Sequence, residues 1–331
     1  METKFVSIEE AAALLRAGAV VAFPTETVYG LGADATSDAA IAQIFASKGR
    51  PGDNPLIVHI GDLAWLSSVV SACSDTAQRL MDAFWPGPLT VILPKHENLA
   101  ERVTAGLSTV GVRMPSHSVA LELLRAVELP IAAPSANVSG RPSPTRAVHV
   151  ADDLDGRIAG IVDGGAAEIG LESTVIDCTV EPPVILRPGA VTRAEIEAVI
   201  GPVDVAEVRT DDVAAPKSPG MKYRHYAPKA PMTIVQGSEA FFRQVVAEAR
   251  CAGKRVGVLV AEEHAHCCDA DVVLTCGSGQ AAVARRLYDV LREFDSADVD
   301  VIYSESFSEV GIGEAIMNRL RKASGGRVIA E

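Results

Sequence analysis

No run in this sequence of 331 residues approaches the ~20 apolar residues that are needed to span a bilayer. The opening residues, METKFVSIEE, include acids and lack an apolar stretch, so they do not form a signal peptide. Cysteines are few and unevenly spaced, which is not the pattern of a disulfide scaffold and favours reduced thiols. We therefore expect a cytoplasmic protein with no membrane partner.

Positive charge is also scarce, with 30 Lys and Arg against 43 Asp and Glu and a net charge of −13. This balance argues against bulk affinity for nucleic acid or anionic membranes, so no stable nucleic-acid complex is expected. Any anionic ligand must be met by a local basic site. The phosphate-binding pattern G-x-x-x-x-G-K-[ST] is absent as well, so phosphates are not held by a P-loop.

The residues that are present indicate two α/β domains. Residues 1–204 alternate several short apolar runs with helical stretches, which predicts a mixed sheet among helices. Residues 205–231 lose that periodicity and are rich in proline, which is typical of a linker or a functional lid. Residues 232–331 resume a strand–helix rhythm that predicts a smaller, Rossmann-like domain with a parallel sheet.

Two motifs in the second domain imitate known sites. Residues 277–282, GSGQAA, follow a strand and match a dinucleotide pattern, but the acid that should follow about twenty residues later is only loosely placed, so a glycine turn is favoured. A group of histidines and cysteines fits no closed zinc spacing, so we predict no metal site there. The group comprises His264, His266, Cys267, Cys268 and Cys276.

The loops of the first domain carry the informative polar residues. Residues 24–32, PTETVYGLG, leave a buried strand and offer hydroxyls, a carboxylate and glycines, although a capped turn would explain them equally well. Lys48 and Arg50 end a helix, where cations also favour the dipole. Asn54 and His59 then flank the next strand.

Arginines in apolar surroundings are the second signal. Arg113 ends an apolar strand and must find an anion or a carboxylate, because a buried charge without a partner is very costly. Together with Arg50 and Arg187 it could hold a triphosphate or a carboxylate bidentately. Hydroxyl-rich loops at 133–145 and 173–175 could add further donors. No single element is diagnostic.

Taken in order, the motifs PTETVYGLG, K-x-R-P, N-P-L, VRMP, APSAN-SG, ST and LRPG resemble the threonylcarbamoyl-AMP synthase family over residues 7–200. Residues 218–228, SPGMKYRHYAP, look like the linker motif of the long, two-domain form of that family. The resemblance implies an N-terminal YrdC-like domain with a twisted mixed sheet, and a smaller Rossmann-like accessory domain. It also implies a cytoplasmic nucleotidyltransferase that condenses L-threonine, bicarbonate or CO₂, and ATP into L-threonylcarbamoyl-AMP and pyrophosphate.

The resemblance also implies the site residues. The threonine pocket would be Thr27, His59, Arg113, Ala133 and Ser173. ATP would contact Arg50, Asn54, Thr109, Ser135, Ser143, Arg187 and, from the linker, Tyr226, with Lys48 and Asn137 near the phosphates. Mg²⁺ would accompany ATP through its phosphates, since no dedicated acidic cage is evident. The sequence identifies no catalytic base.

The downstream partner implied by the family is the machinery that transfers the threonylcarbamoyl group to tRNA. Two other functions fit the residues less well. One is a carbamoyl-transfer enzyme, since the same domain type occurs inside hydrogenase-maturation proteins, but those proteins carry acylphosphatase and zinc-finger modules that are absent here. An RNA-binding module would need a basic face, whereas residues 1–205 hold fourteen Lys and Arg against twenty-five Asp and Glu.

The linker carries its own prediction. Residues 213–238 contain four Lys and Arg and no acid, so the segment would be attracted to the phosphates of ATP. We expect it to fold back over the site as a lid, with a solvated basic linker as the alternative.

Overall fold

A computed structural model describes residues 2–206, 226–267 and 269–331. The chain folds into two compact units. The first unit comprises 1–139, 143–168 and 172–223, and the second comprises 140–142, 169–171 and 224–331. The domain bounds expected from the sequence stay a prediction. Most of the expected lid, residues 207–225, lies outside the described part of the chain.

The described part of the first unit contains one sheet of eleven strands with parallel and antiparallel neighbours. Its strands are β1 (Lys4–Phe5), β2 (Val21–Phe23), β3 (Gly30–Asp34), β4 (Ile57–His59), β5 (Leu89–Pro94), β6 (Thr109–Arg113), β7 (Ile131–Ala132), β8 (Gly160–Ile161), β9 (Thr174–Asp177), β10 (Val184–Arg187) and β11 (Asp204–Val205). They lie in the order β1-β8-β2-β3-β7-β4-β6-β5-β9-β10-β11. The mixed sheet expected for this domain is confirmed.

Helices cover the sheet and bury its two apolar faces in separate clusters. They are α1 (Ile8–Arg16), α2 (Asp38–Lys48), α3 (Leu66–Val69), α4 (Asp75–Phe84), α5 (Glu101–Thr104), α6 (Ser118–Val127), α7 (Ala147–Leu154) and α8 (Arg193–Ile200), with a 3₁₀ turn at Leu63–Trp65. The first helix begins with a capping box: Glu10 N–H donates to Ser7 Oγ at 3.2 Å, and Ser7 N–H to Glu10 Oε2 at 2.9 Å. Helix α2 ends at Gly49, whose φ of 59° suits glycine.

One segment of the first unit differs from its expectation. The sequence predicts a loop for PTETVYGLG, but its last three residues, 30–32, lie in strand β3, which pairs antiparallel to β2. A Cβ on Gly32 would lie 2.8 Å from Phe23 Cε1 and 2.9 Å from Ile131 Cγ2. The glycine therefore permits close packing of the sheet on aromatic and aliphatic side chains.

The second unit is a five-stranded parallel sheet in the order β14-β13-β15-β12-β16. Its elements are β12 (Met232–Gln236), α9 (Glu239–Cys251), β13 (Val256–Val260), a 3₁₀ stretch (Glu262–Cys267), β14 (Val272–Thr275), α10 (Gln280–Glu293), a 3₁₀ turn (Phe294–Ser296), β15 (Val301–Glu305), α11 (Gly313–Ala323) and β16 (Val328–Ala330). The predicted parallel sheet is confirmed. Among the described residues, no helix combines the length and the apolar character that crossing a membrane requires.

Candidate active site

Thirteen of the fourteen predicted site residues belong to the first unit, and Tyr226 belongs to the second. The loop between β2 and β3 carries Thr27, one of the predicted threonine contacts. Thr25 Oγ1 lies 2.8 Å from Thr27 Oγ1 and donates to the carbonyl of Val28 at 2.6 Å. These contacts fix a buried turn whose hydroxyls and carboxylate, from Thr25 to Thr27, are all at most 2 % exposed.

Arg113 lies against this turn and is almost fully buried. Its Nη2 is 2.6 Å from Glu26 Oε1, its Nη1 donates to Thr27 Oγ1 at 2.8 Å, and its Nε donates to the carbonyl of Gly87 at 3.2 Å. Burial by itself raises the pKa of Glu26, but the positive charge and hydrogen bond of Arg113, with backbone N–H donors, lower it overall. Glu26 is therefore the ionised partner of Arg113, a role that sequence reasoning missed.

His59 is the neighbour of Arg113 across the sheet, because β4 and β6 pair these two residues. Its ring packs edge-on against Phe23, with 6.1 Å between ring centroids, and Nδ1 lies 3.2 Å from the carbonyl of Ile57. Burial, followed by the positive charge of Arg113, lowers the pKa of His59 to about 3. The imidazole is neutral at physiological pH and can exchange hydrogen bonds without adding charge.

Ser173 joins the threonine set to the arginine of the last motif. Its Oγ lies 2.8 Å from Thr90 Oγ1 and accepts from Arg187 Nη2 at 3.1 Å, while its carbonyl accepts from Arg187 Nε at 3.0 Å. Gly189 lies directly against this strand, since a Cβ there would be 2.3 Å from the nitrogen of Thr174. The ST and LRPG motifs are thus in direct contact with each other.

Lys48 holds the hydroxyl-rich loop that follows β7. Its buried Nζ donates to the carbonyls of Ser135 and, at 2.7 Å, Asn137. The same loop is bonded to strand β3: Leu31 N–H donates to Pro134 O at 2.7 Å. The structure therefore brings Lys48, Ser135 and Asn137 together. Hydrogen bonds to main-chain carbonyls hold Lys48 in place, so the dipole of α2 is not the only reason for a cation at this position.

Three further predicted residues, Arg50, Asn54 and Ser143, lie on loops of the first unit. Arg50 Nη2 donates to the carbonyl of Asn54 at 3.3 Å, and Asn54 Oδ1 is buried with no donor among the described residues. Ser143 Oγ donates to Glu172 Oε1 at 2.5 Å, both side chains being buried. Asn54 Oδ1 is an acceptor that a ligand hydrogen could satisfy.

The remaining predicted residues lie as follows. Ala133 follows β7 and donates its N–H to Ile57 O at 2.9 Å, so its backbone belongs to the central group. Thr109 begins β6, four residues or about 13 Å along the strand from Arg113, and is only half-buried. Tyr226 packs on Tyr288 within the second unit, at 5.1 Å between centroids.

His264 and Cys276, two of the residues that resemble metal ligands in the sequence, lie in the second unit. Among described residues, no group of three or more His, Cys, Asp or Glu side chains is arranged to hold a metal ion. His264 instead contacts Glu305, with Nδ1 2.6 Å from Oε2. Around the first unit's central turn, the acidic groups Glu26 and Glu172 are engaged by Arg113 and Ser143.

The fold and the site together define a class: an α/β protein with buried arginine, histidine and hydroxyl side chains on the strand ends and loops of a mixed sheet, and with a second unit built on a parallel sheet. Residues 13–189 match the family model described as "Telomere recombination", and residues 191–325 match "Threonylcarbamoyl-AMP synthase, C-terminal domain". The chain belongs to the threonylcarbamoyl-AMP synthase family.

The sequence is similar to those of threonylcarbamoyl-AMP synthases along nearly the whole chain. The chain is 56 % identical over 332 residues to threonylcarbamoyl-AMP synthase of Bacillus subtilis, covering 99 % of this chain and 96 % of the relative. It is 50 % identical to the Pyrococcus abyssi enzyme, with 97 % and 95 % covered. The crystal structure of P. abyssi Sua5 complexed with L-threonine superposes with a TM-score of 0.94 at 49 % identity, covering 98 % and 96 %.

Proposed function

We propose that this chain is an L-threonylcarbamoyladenylate synthase, a nucleotidyltransferase that converts L-threonine, bicarbonate or CO₂, and ATP into threonylcarbamoyl-AMP and pyrophosphate. The observation that carries the proposal is the buried group of Thr27, His59 and Arg113. It occurs in a chain whose fold follows that of a relative complexed with L-threonine.

The threonine subsite would be formed by Thr27, His59, Arg113, Ala133 and Ser173. Arg113 offers a fixed positive charge for the carboxylate of the amino acid. The hydroxyls of Thr27 and Ser173 and the neutral imidazole of His59 offer buried partners for the β-hydroxyl. Because a buried partner left unmet costs about 1–3 kcal/mol, such a pocket discriminates against amino acids that lack the hydroxyl.

The ATP subsite would surround this pocket. Arg187 contacts Ser173, so a phosphate held by the arginine would lie beside the amino acid. Lys48 and Asn137 stiffen the loop that presents Ser135. The full proposed set is Lys48, Arg50, Asn54, Thr109, Ser135, Asn137, Ser143, Arg187 and Tyr226.

The chemistry proceeds in two steps. The lone pair of the threonine amine attacks the carbon of CO₂ or bicarbonate and forms a C–N bond. This step gives a carbamate and releases a proton when CO₂ is the carbon source, or water when bicarbonate is. A carbamate oxygen then attacks the α-phosphorus of ATP, and pyrophosphate leaves with the electrons of the bridging P–O bond. Because the carbamate is labile in water, exclusion of water from the buried group protects it. Mg²⁺ would be held by ATP phosphates and would neutralise their charge, which suits a proposed set in which Lys48, Arg50 and Arg187 are cations and no residue is acidic.

The segment around Tyr226 is proposed to close over the nucleotide. Its four basic residues and the absence of acid in 213–238 support that role, and residues 218–225 of the motif, including Lys222 and Arg224, lie outside the described part. The cytoplasmic location and the tRNA-modifying partner also stay predictions, as does the absence of a stable nucleic-acid complex.

The deciding experiment is bicarbonate-dependent release of pyrophosphate with each amino acid in turn. L-Threonine should stimulate release about ten- to a hundredfold more than L-valine, which has the same shape without the hydroxyl. Equal turnover with valine would contradict the threonine assignment. Retention of tRNA on filters, together with no release of pyrophosphate, would favour the RNA-binding alternative.

A further inference from the structure

The second unit contains a cleft of about 190 Å³ at one edge of its parallel sheet. The carboxyl ends of β12, β13 and β15 and the first turn of α9 form its walls. Ligands of open parallel sheets bind at this edge, where strand ends and helix N-termini converge. Because the volume is below the ~300–1,000 Å³ of drug-sized pockets, the cleft suits a molecule of amino-acid size.

A carboxylate of the chain already lies at the mouth of this cleft. Ser238, the N-cap of α9, donates its N–H to Glu331 Oε2 at 2.6 Å and its hydroxyl to Glu331 Oε1 at 2.9 Å. Gly237 makes room for this contact, since a Cβ there would lie 2.7 Å from Glu331 Cβ. The two donors and the glycine thus form a seat with the dimensions of a carboxylate, which we call the carboxylate seat.

A second polar pair lines the same cleft. Glu305 accepts the N–H of Ala261 with one oxygen and contacts His264 Nδ1 at 2.6 Å with the other. The hydrogen bond and charge of Glu305 raise the pKa of His264, with smaller contributions from Glu263 and Glu239. The ring of His264 is half-exposed, so in its protonated form it can offer a positive charge to an anion that enters the cleft.

Apart from Glu239 and Ser306, the rest of the lining is apolar. Val235, Phe242 and Val260 are each less than 9 % exposed and border the cleft. An occupant therefore needs a short hydrocarbon part beside its charged group.

We propose that this cleft binds a small monocarboxylate with a short apolar chain, whose carboxylate replaces that of Glu331 on Ser238. Exchange of one carboxylate for another leaves the charge of the seat unchanged. A phosphate dianion would add negative charge beside Glu239 and Glu305, so it is the poorer ligand. A metal ion is disfavoured because the seat presents N–H and O–H donors.

The test uses isobutyrate as the probe, with the full chain labelled for amide NMR. Isobutyrate should shift the amide signals of Ser238 and Ala261. Glu331→Ala removes the internal competitor, so it should tighten binding about tenfold, because a charge-assisted hydrogen bond contributes about 1.5–3 kcal/mol. His264→Ala, made in the same background, should weaken binding.

Two matched controls separate this site from non-specific effects. Glu309→Ala removes one exposed negative charge from the same unit outside the cleft lining, and should leave isobutyrate affinity unchanged. Isobutyramide, the neutral isostere, should not bind. The proposal is overturned if the Glu331→Ala chain shows no shifts at Ser238 and Ala261, if isobutyramide binds as well as isobutyrate, or if inorganic phosphate binds more tightly.

Discussion

At the scale of single residues, Arg113 is held by three groups of the chain itself: the carboxylate of Glu26, the hydroxyl of Thr27 and the carbonyl of Gly87. This arrangement fixes the guanidinium in one orientation, so little side-chain freedom remains to be lost when a ligand binds. It also makes the arginine a structural residue, because its removal leaves Glu26 as a buried charge without its cation. Binding and stability must therefore be measured separately.

The first prediction separates these two roles. Arg113→Ala should lose threonine affinity and about 3–5 kcal/mol of the free energy of unfolding, since Glu26 is stranded. The double variant Arg113→Ala with Glu26→Gln should regain part of that stability while threonine affinity stays lost. Denaturant unfolding and calorimetric titration with threonine measure the two quantities. If the double variant binds threonine normally, Arg113 does not contact the carboxylate.

The second prediction concerns pH and His59. Folding lowers the pKa of His59 from the ordinary value of 6.5 to about 3. As the pH falls, the unfolded chain therefore binds a proton at His59 before the folded chain does. The stabilising contribution of the neutral ring is complete above pH 6.5 and is lost as pH falls from 6.5 towards 3. The wild-type free energy of unfolding should therefore fall by up to about 1.4 kcal/mol per pH unit in that window. His59→Gln should show a shallower fall, and an identical slope would contradict the burial argument.

At the scale of elements, glycines determine how closely the motif-bearing segments approach one another. Gly32 lets β3 lie on Phe23, and Gly189 lets the segment after β10 lie on the start of β9. The second contact sets the position of Ser173 relative to Arg187, because both motifs meet there. These glycines therefore act on the site through packing.

The third prediction tests this packing. Gly189→Ala would place a Cβ 2.3 Å from Thr174 N and 2.7 Å from the carbonyl carbon of Ser173. Overpacking of this kind costs about 1–3 kcal/mol, and the displaced Ser173 should lower threonine-dependent release of pyrophosphate. Gly52→Ala is the matched control, because a Cβ there would meet nothing within 4 Å. Equal stability and activity of the two variants would show that Gly189 is not a close contact.

At the scale of the whole molecule, Tyr226 is the one proposed ATP contact outside the first unit. Its backbone takes the left-handed conformation, with φ of 63°, which is uncommon for a residue with a side chain. Its ring is buried on Tyr288. Because aromatic packing holds this strained backbone, the conformation of the chain is fixed at Tyr226 itself.

The fourth prediction uses this position. Tyr226→Ala should raise the KM for ATP and lower stability through loss of the ring contact, whereas Tyr226→Phe should keep both close to wild type. Steady-state kinetics and thermal unfolding measure the two effects. A Tyr226→Ala chain that is less stable but has an unchanged KM for ATP would show that the ring only packs on Tyr288.

The sequence by itself determined much of this protein. Alternating strands and helices predicted the mixed and parallel sheets, and the patterns S-x-x-E at Ser7 and T-x-x-E at Thr192 are capping boxes at two helix starts. These signals are local, since a hydrogen bond between residues three apart depends on neighbouring side chains alone. The ordered motifs indicated the family for the same reason: each is a short run that can be compared residue by residue.

Only the tertiary structure decided which side chains meet. Glu26 and Arg113 are far apart in sequence, and either could have found another partner, so their ion pair follows from the sheet order that places β3, β7, β4 and β6 side by side. The same holds for Lys48 with the carbonyls of residues 135 and 137, and for the strand character of Gly30–Asp34. Long-range packing selected these contacts, because it alone determines which buried charge lies beside which partner.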